Sequence, residues 1–124
     1  MHAPPHFEQA EDHAVLRLRG SMVLAEVVDL ITDAIVFARA TGMHRLLVAM
    51  TEVTGVKTPG LAARYAFIRE WARVSGGLVR MAVAVPLQML DNRKFGVTVA
   101  ANAGMAANVF ADEHEALEWL MGDE

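Results

Sequence analysis

The chain has 124 residues, 54% of them hydrophobic, with 21 alanines and 15 valines but only eight aromatic residues; that is enough to core one domain and too short for two. The apolar content excludes a disordered chain, no apolar run reaches the roughly 20 residues that cross a bilayer, and the absence of cysteine excludes disulfides, thiolate nucleophiles and cysteine-held metals. Net charge is −4, split between nine basic and three acidic residues from Arg39 to Lys94 and two basic against twelve acidic residues in the flanks.

Residues 1–6, with Pro4 and Pro5, read as a flexible leader to a single domain over 7–124. The first residues lack the basic start and apolar centre of a signal peptide, so a cytoplasmic protein is expected. Phe7 to Glu11 and His13 to Gly20 read as two short strands joined by a hairpin turn. In the second, Leu16 and Leu18 face one way and Val15, Arg17 and Arg19 the other.

Ser21 suits an N-cap, and Leu24, Val27, Val28, Ile31, Ile35 and Ala38 recur at the spacing of an amphipathic helix that runs to Ala40 and stops at Gly42. Val23, Leu30 and Phe37, seven apart, widen its apolar band; they serve either core packing or a homodimer or ligand-cavity wall. Arg45 to Met50 is the nearly continuous apolar run of a central parallel strand. A threonine- and glycine-rich loop, Thr51 to Gly60, follows, with Thr58 as cap and Pro59 as first residue of a helix to Ser75 whose inward residues are Leu61, Tyr65, Ile68 and Ala72. Gly76-Gly77 ends it.

Arg80 to Leu87 reads as another apolar strand, Gln88 to Ala103 as a helix in which Gly96 permits a close approach or a bend, and Asn108 to Ala111 as a short strand. Asp112, with Glu115 three residues on, caps a last helix that buries Ala116, Leu117, Trp119 and Leu120. The expected class is α/β: a four- to five-stranded, mostly parallel sheet with an N-terminal hairpin and four helices, in the order ββαβαβαβα.

Motifs for phosphate loops, dinucleotide binding and nucleophile elbows are absent from the sequence. His2, His6, His13, His44 and His114 are scattered without ligand spacing, and no acid/base pair stands out, so the expectation is no enzyme, no metal and no cofactor. Arg69 and Arg73 share a helix face, but Arg64 lies about 140° from Arg69. Without a basic stripe or interleaved aromatics, nucleic acid is not an expected partner.

The stretch from Arg93 to Leu120, RKFGVTVAANAGMAANVFADEHEALEWL, resembles the ending of the bacterial SpoIIAA-like proteins, and the element order resembles the STAS-domain fold shared by sulfate transporters and anti-sigma factor antagonists. The resemblance covers about Phe7 to Leu120 and rests on structural positions: Gly96, Asn102, Gly104, Asp112, Trp119 and Leu120. It implies a non-enzymatic regulatory or protein-interaction domain. Antagonists of this family are switched by phosphorylation of a serine in a D-S-S-G-L motif, against which Lys57-Thr58-Pro59-Gly60-Leu61 aligns. Lys57 replaces the acidic residue and Pro59 the acceptor serine, leaving Thr58 as the possible phosphoacceptor or a plain helix cap.

Open α/β sheets bind partners at the carboxyl ends of their strands. That rim is expected to gather Thr51, Thr54, Gly55, Lys57, Thr58, Pro59 and Gly60 with Pro86, Gln88 and Asn92, a set suited to a protein partner or a small anion. The alternative is a carrier of a small apolar or acyl ligand, possible as a homodimer through Val23, Leu30 and Phe37, because methionines can line a plastic cavity. Met22, Met43, Met50, Met81, Met89, Met105 and Met121 share no single element, and read as gap-fillers.

Overall fold

A computed structural model describes residues 2–90 and 94–122. Phe7–Gln9 (β1) and Ala14–Ser21 (β2) form the antiparallel hairpin, with Phe7 opposite Leu16. The chain continues through Leu24–Ala40 (α1), Arg45–Thr54 (β3), Leu61–Ser75 (α2), Arg80–Ala84 (β4), Phe95–Asn102 (α3), Ala107–Phe110 (β5) and Glu113–Met121 (α4). The five strands lie in chain order, β1-β2-β3-β4-β5, and β2 to β5 are parallel. The class is therefore α/β with a mixed five-stranded sheet.

Each parallel strand adds to the same edge as the one before, so right-handed crossovers place α1, α2 and α3 together on one face. The main core lies there, between Val27, Ile31 and Ile35 of α1, Ile68 and Trp71 of α2, Val99 of α3 and the strand residues Leu16, Leu46, Val48 and Met81. α4 returns across the opposite face, where Ala116 and Leu120 pack on Val15, Leu47, Ala49, Ala82 and Ala84. The alternation in β2 is as expected: Leu16 and Leu18 are in the main core, and Arg17 faces α4 and pairs with Glu113. β3 from Leu46 to Met50 is buried, as a central strand covered on both faces should be.

An irregularity alters β3 near its end. Arg17 pairs with Ala49 but Arg19 with Glu52, so β3 carries one extra residue between them. The bulge resets the alternation and lets both Met50 and Val53 enter the main core.

Helix ends follow the local chemistry. Gly42 follows the C-cap of α1, and Gly76, in left-handed conformation, closes α2. At Gly104 (φ 90°) the Gly104 N–H donates to the Ala101 carbonyl and the Met105 N–H to that of Ala100, a Schellman closure that turns Met105 into the core. Asp112 caps α4 through hydrogen bonds to its Oδ1 from the N–H groups of His114 (2.6 Å) and Glu115 (3.3 Å).

The starts of α1 and α2 differ from expectation. Ser21 is the last residue of β2, not a cap, because the ladder to β3 runs on: Ser21 pairs with Thr54 and the Met22 N–H donates to the Thr54 carbonyl at 3.0 Å. α1 then begins after Val23 with no side-chain cap. Thr51 and Thr54 belong to β3 rather than to the loop, which shortens to residues 55–60. Thr58 does not cap α2; Gly60 holds that position, also without a side-chain bond, and Thr58 and the half-buried Pro59 instead border the cavity described below.

The face of α2 is also rotated from the expected one. Ile68, Trp71, Ala72 and Ser75 are buried, while Leu61 and Tyr65 stand 59% and 48% exposed, because the large Trp71 ring takes the inward position. Gln88 to Ala103 is not one helix: Leu87–Met89 forms a single 3-10 turn, Leu90 is extended and Lys94 has φ 51°, so α3 starts only at Phe95.

Candidate functional site

Between the helical layer and the sheet lies a cavity of about 190 Å³. Its floor is the front of β4 and β5, with Val83 and Val109, its walls are Val28 of α1, Phe67 of α2 and Ala100 of α3, and the loop residues Thr58 and Pro59 close the carboxyl side. Met50, Met81, Met89 and Met105 all line it, although each comes from a different part of the chain. Thioether side chains, being unbranched, can rearrange around a guest.

The wall between α1 and α2 is held by a partly buried polar relay. The Trp71 Nε1–H donates to Thr32 Oγ1 at 3.0 Å, and the Thr32 hydroxyl donates to the Val28 carbonyl at 2.8 Å. The wall between α2 and α3 is tight: a Cβ on Gly96 would lie 3.0 Å from Ile68 Cδ1. Gly96 thus serves a close approach, by a side chain of α2.

Polar groups in the lining are few. Among the described residues, Arg64 is its one charged member, with Thr58 and Asn108 as the polar ones. The Arg64 Nε is shut off from solvent and the guanidinium sits 5.7 Å from the centre of the Phe95 ring. Asn108 Oδ1 accepts from Lys94 Nζ at 2.8 Å and from the Val109 N–H at 2.9 Å, and Lys94 also lies 5.4 Å from the Phe110 ring centre. Arg64 is therefore the cation of the described lining, whereas the Lys94 ammonium lies with Asn108 and Phe110 at β5, and Phe110 packs against Trp119 on the α4 face.

The rim residues named from the sequence separate. Thr58 and Pro59 line the cavity, together with Val56. Thr51, Thr54 and Lys57 are exposed, Gly55 (φ 82°) turns the chain out of β3 beside Ser21, and Gly60 precedes α2. Pro86 is buried, Gln88 is exposed and Asn92 lies outside the described residues. Of the proposed interface, Val23 is 65% exposed, Leu30 is partly buried against the core, and Phe37 packs edge-on against Phe7 with ring centres 5.0 Å apart.

Other titratable clusters are structural pairs. Asp12 and His13 meet at 2.8 Å in the hairpin turn, where the hydrogen bond from His13 holds the Asp12 carboxyl below its ordinary range. Arg73 does the same to Glu70 one turn away on α2. Among the described residues, no three His, Asp or Glu side chains are grouped to hold a metal ion, and no helix is long and apolar enough to cross a membrane.

Comparison with family models, with curated proteins and with solved structures finds no match for this chain. The residues themselves therefore carry the functional reading.

Proposed function

We propose that this protein is a non-enzymatic binding domain that carries a small apolar ligand in the cavity beneath α1, α2 and α3. The observation that carries the reading is the cavity itself, about 190 Å³ lined almost wholly by aliphatic, aromatic and thioether groups. An apolar void of about 150 Å³ is known to stay dry and take up benzene. The pocket is open on one side and its walls are apolar, so water inside it is poorly hydrogen-bonded, and a guest that displaces that water is bound and stabilises the fold by mass action.

Native mass spectrometry of freshly purified protein, followed by titration with small aromatic and branched aliphatic compounds, tests this. A retained mass, or saturable binding that raises the melting temperature, is expected. Ala100→Leu, which puts three more carbons into the lining, should abolish binding while the fold persists. A clean apo mass with no binding of any such compound would sink the proposal.

A second reading follows the resemblance to SpoIIAA-like proteins: a regulatory interaction domain whose partner docks on the loop at residues 55–60 and the outer face of α2. Its support is that Leu61 and Tyr65 are turned to solvent beside exposed Lys57 and Thr58. A partner recovered by the wild type and lost by a Lys57→Glu, Thr58→Glu variant supports it; recovery that ignores the loop rejects it. Thr58, exposed at that rim, remains the residue to examine for phosphorylation.

A further inference from the structure

We infer that the guest is a flat aromatic molecule of one ring, held by methionine sulfurs towards the two ends of the cavity and by the Phe67 and Trp71 rings in its wall. This rests on the ligand-carrier reading and specifies its chemistry. Three features of the lining converge on it.

The thioethers are concentrated. The chain has eight methionines, and four of them, Met50, Met81, Met89 and Met105, line this one cavity, a concentration that gap-filling alone does not require. They also lie at opposite ends of it. Met81 and Met105 belong to the amino-terminal end of the strands, where the Met81 N–H donates to the Ala106 carbonyl at 3.0 Å, and Met89 lies beyond the carboxyl end of β4. A guest between them has thioether groups on two sides. Polarizable sulfur is attracted to the electron-poor edge of an aromatic ring at about 5 Å, and a saturated ring has no such edge.

The wall already holds two rings. Phe67 and Trp71 both line the cavity, with ring centres 4.8 Å apart and planes tilted by 48°. The indole is fixed, because its N–H is bound to Thr32 Oγ1. A third ring joins such a pair at the spacing of roughly 4.5–7 Å that offset and edge-to-face contacts favour, and gains affinity beyond the burial of its area.

Size and polarity agree. A void of about 190 Å³ is somewhat larger than one that takes benzene. It buries one ring with a short substituent, and a longer guest must protrude through the open side. Val28, Val83 and Val109 complete an aliphatic surface that offers no hydrogen bond, so a hydrocarbon ring suits it better than a ring bearing several polar groups.

The test is titration of the full chain with toluene and with methylcyclohexane, by calorimetry and by methionine methyl chemical shifts, each affinity being normalised to the compound's own transfer from water into alkane. On that scale toluene should bind at least about fivefold more tightly, the gain expected of one or two ring and sulfur contacts. The double variant Met81→Leu, Met105→Leu conserves volume and removes two sulfurs. It should cut the preference for toluene about threefold while leaving methylcyclohexane within about twofold. Protein in which norleucine replaces every methionine keeps the side-chain shape without sulfur and should show the larger loss; it decides alone if the double variant does not fold. Methylcyclohexane binding as tightly as toluene, or a preference unchanged when the sulfurs are removed, would overturn this inference and leave the apolar-carrier reading standing. Absence of binding by both compounds would overturn both.

Discussion

Trp71 and Thr32 tie α2 to α1 through a single hydrogen bond of 3.0 Å from the indole N–H to the threonine hydroxyl. Trp71 is 9% exposed and Thr32 half-buried, so water replaces the bond poorly. Thr32→Val keeps the shape and removes the acceptor, leaving a buried donor unpaired, which costs about 1–3 kcal/mol. Thr32→Ser keeps the acceptor and should lose less. Urea unfolding of the two variants, with the indole fluorescence of Trp71 as a local reporter, measures the difference; equal midpoints would mean that the hydrogen bond contributes nothing.

Arg17 and Glu113 join the exposed side of β2 to the first residue of α4 by two hydrogen bonds, of 3.0 and 2.9 Å, with Glu8 3.6 Å from the same guanidinium. The hydrogen bonds from Arg17 hold the Glu113 carboxyl below its ordinary value and raise that of Arg17. Because the folded value of Glu113 is depressed, its stabilisation is complete above the unfolded carboxylate value of about 4.3 and is lost as pH falls through the lower folded value. The pair is partly exposed, so the effect at pH 7 should be no more than about 1 kcal/mol. Glu113→Gln is expected to be less stable than wild type at pH 7 and to converge with it as the pH falls below the carboxylate range; parallel stability curves across that range would refute the assignment.

Arg80 stacks on Trp119, its guanidinium carbon 3.8 Å from the ring centre, and its Nη2 donates to the Trp119 carbonyl at 2.7 Å. One side chain thus fastens the start of β4 to the last turn of α4, where a cation also suits the helix dipole. Arg80→Lys keeps the charge but has neither the planar face nor the fork, and should cost about 1 kcal/mol or more. Thermal melts at neutral pH check this, and an unchanged midpoint would assign the contact no stabilising role.

What could be read from the sequence was what local chemistry decides. The period of two in Val15 to Arg19, the unbroken run from Leu46 to Met50, the glycine stops and the Asp112 cap all appear in the fold. Ser21 and Thr58 are good capping residues that do not cap: the β2–β3 ladder takes Ser21, and Thr58 borders the cavity. The cavity was hidden for a related reason. Met50, Met81, Met89 and Met105 are far apart in sequence and converge only when parallel strands and their crossovers are stacked. The available signal was register, since Met50 follows Leu46 and Val48 on the front of β3, and Met81 is opposite Leu46. Arg64 was weighed as part of a basic surface; it became a site residue once Trp71 fixed the rotation of α2.

Gly96 sets the volume of the cavity through Ile68. A methyl group at Gly96 would fall 3.0 Å from Ile68 Cδ1, and both residues belong to the lining. The near atom is the free end of a side chain beside empty space, so Gly96→Ala should push it into the cavity at little cost, and the better helix propensity of alanine offsets part of the strain. Stability is expected within about 0.5 kcal/mol of wild type, whereas a guest that fills the cavity loses the space of about one methylene, roughly 0.8 kcal/mol or about fourfold in affinity. Ile68→Val in the same background removes the displaced methyl and should restore most of that affinity, a coupling that a double-mutant cycle isolates. If Gly96→Ala weakens binding and Ile68→Val does not relieve it, the α2–α3 contact is not what limits the guest.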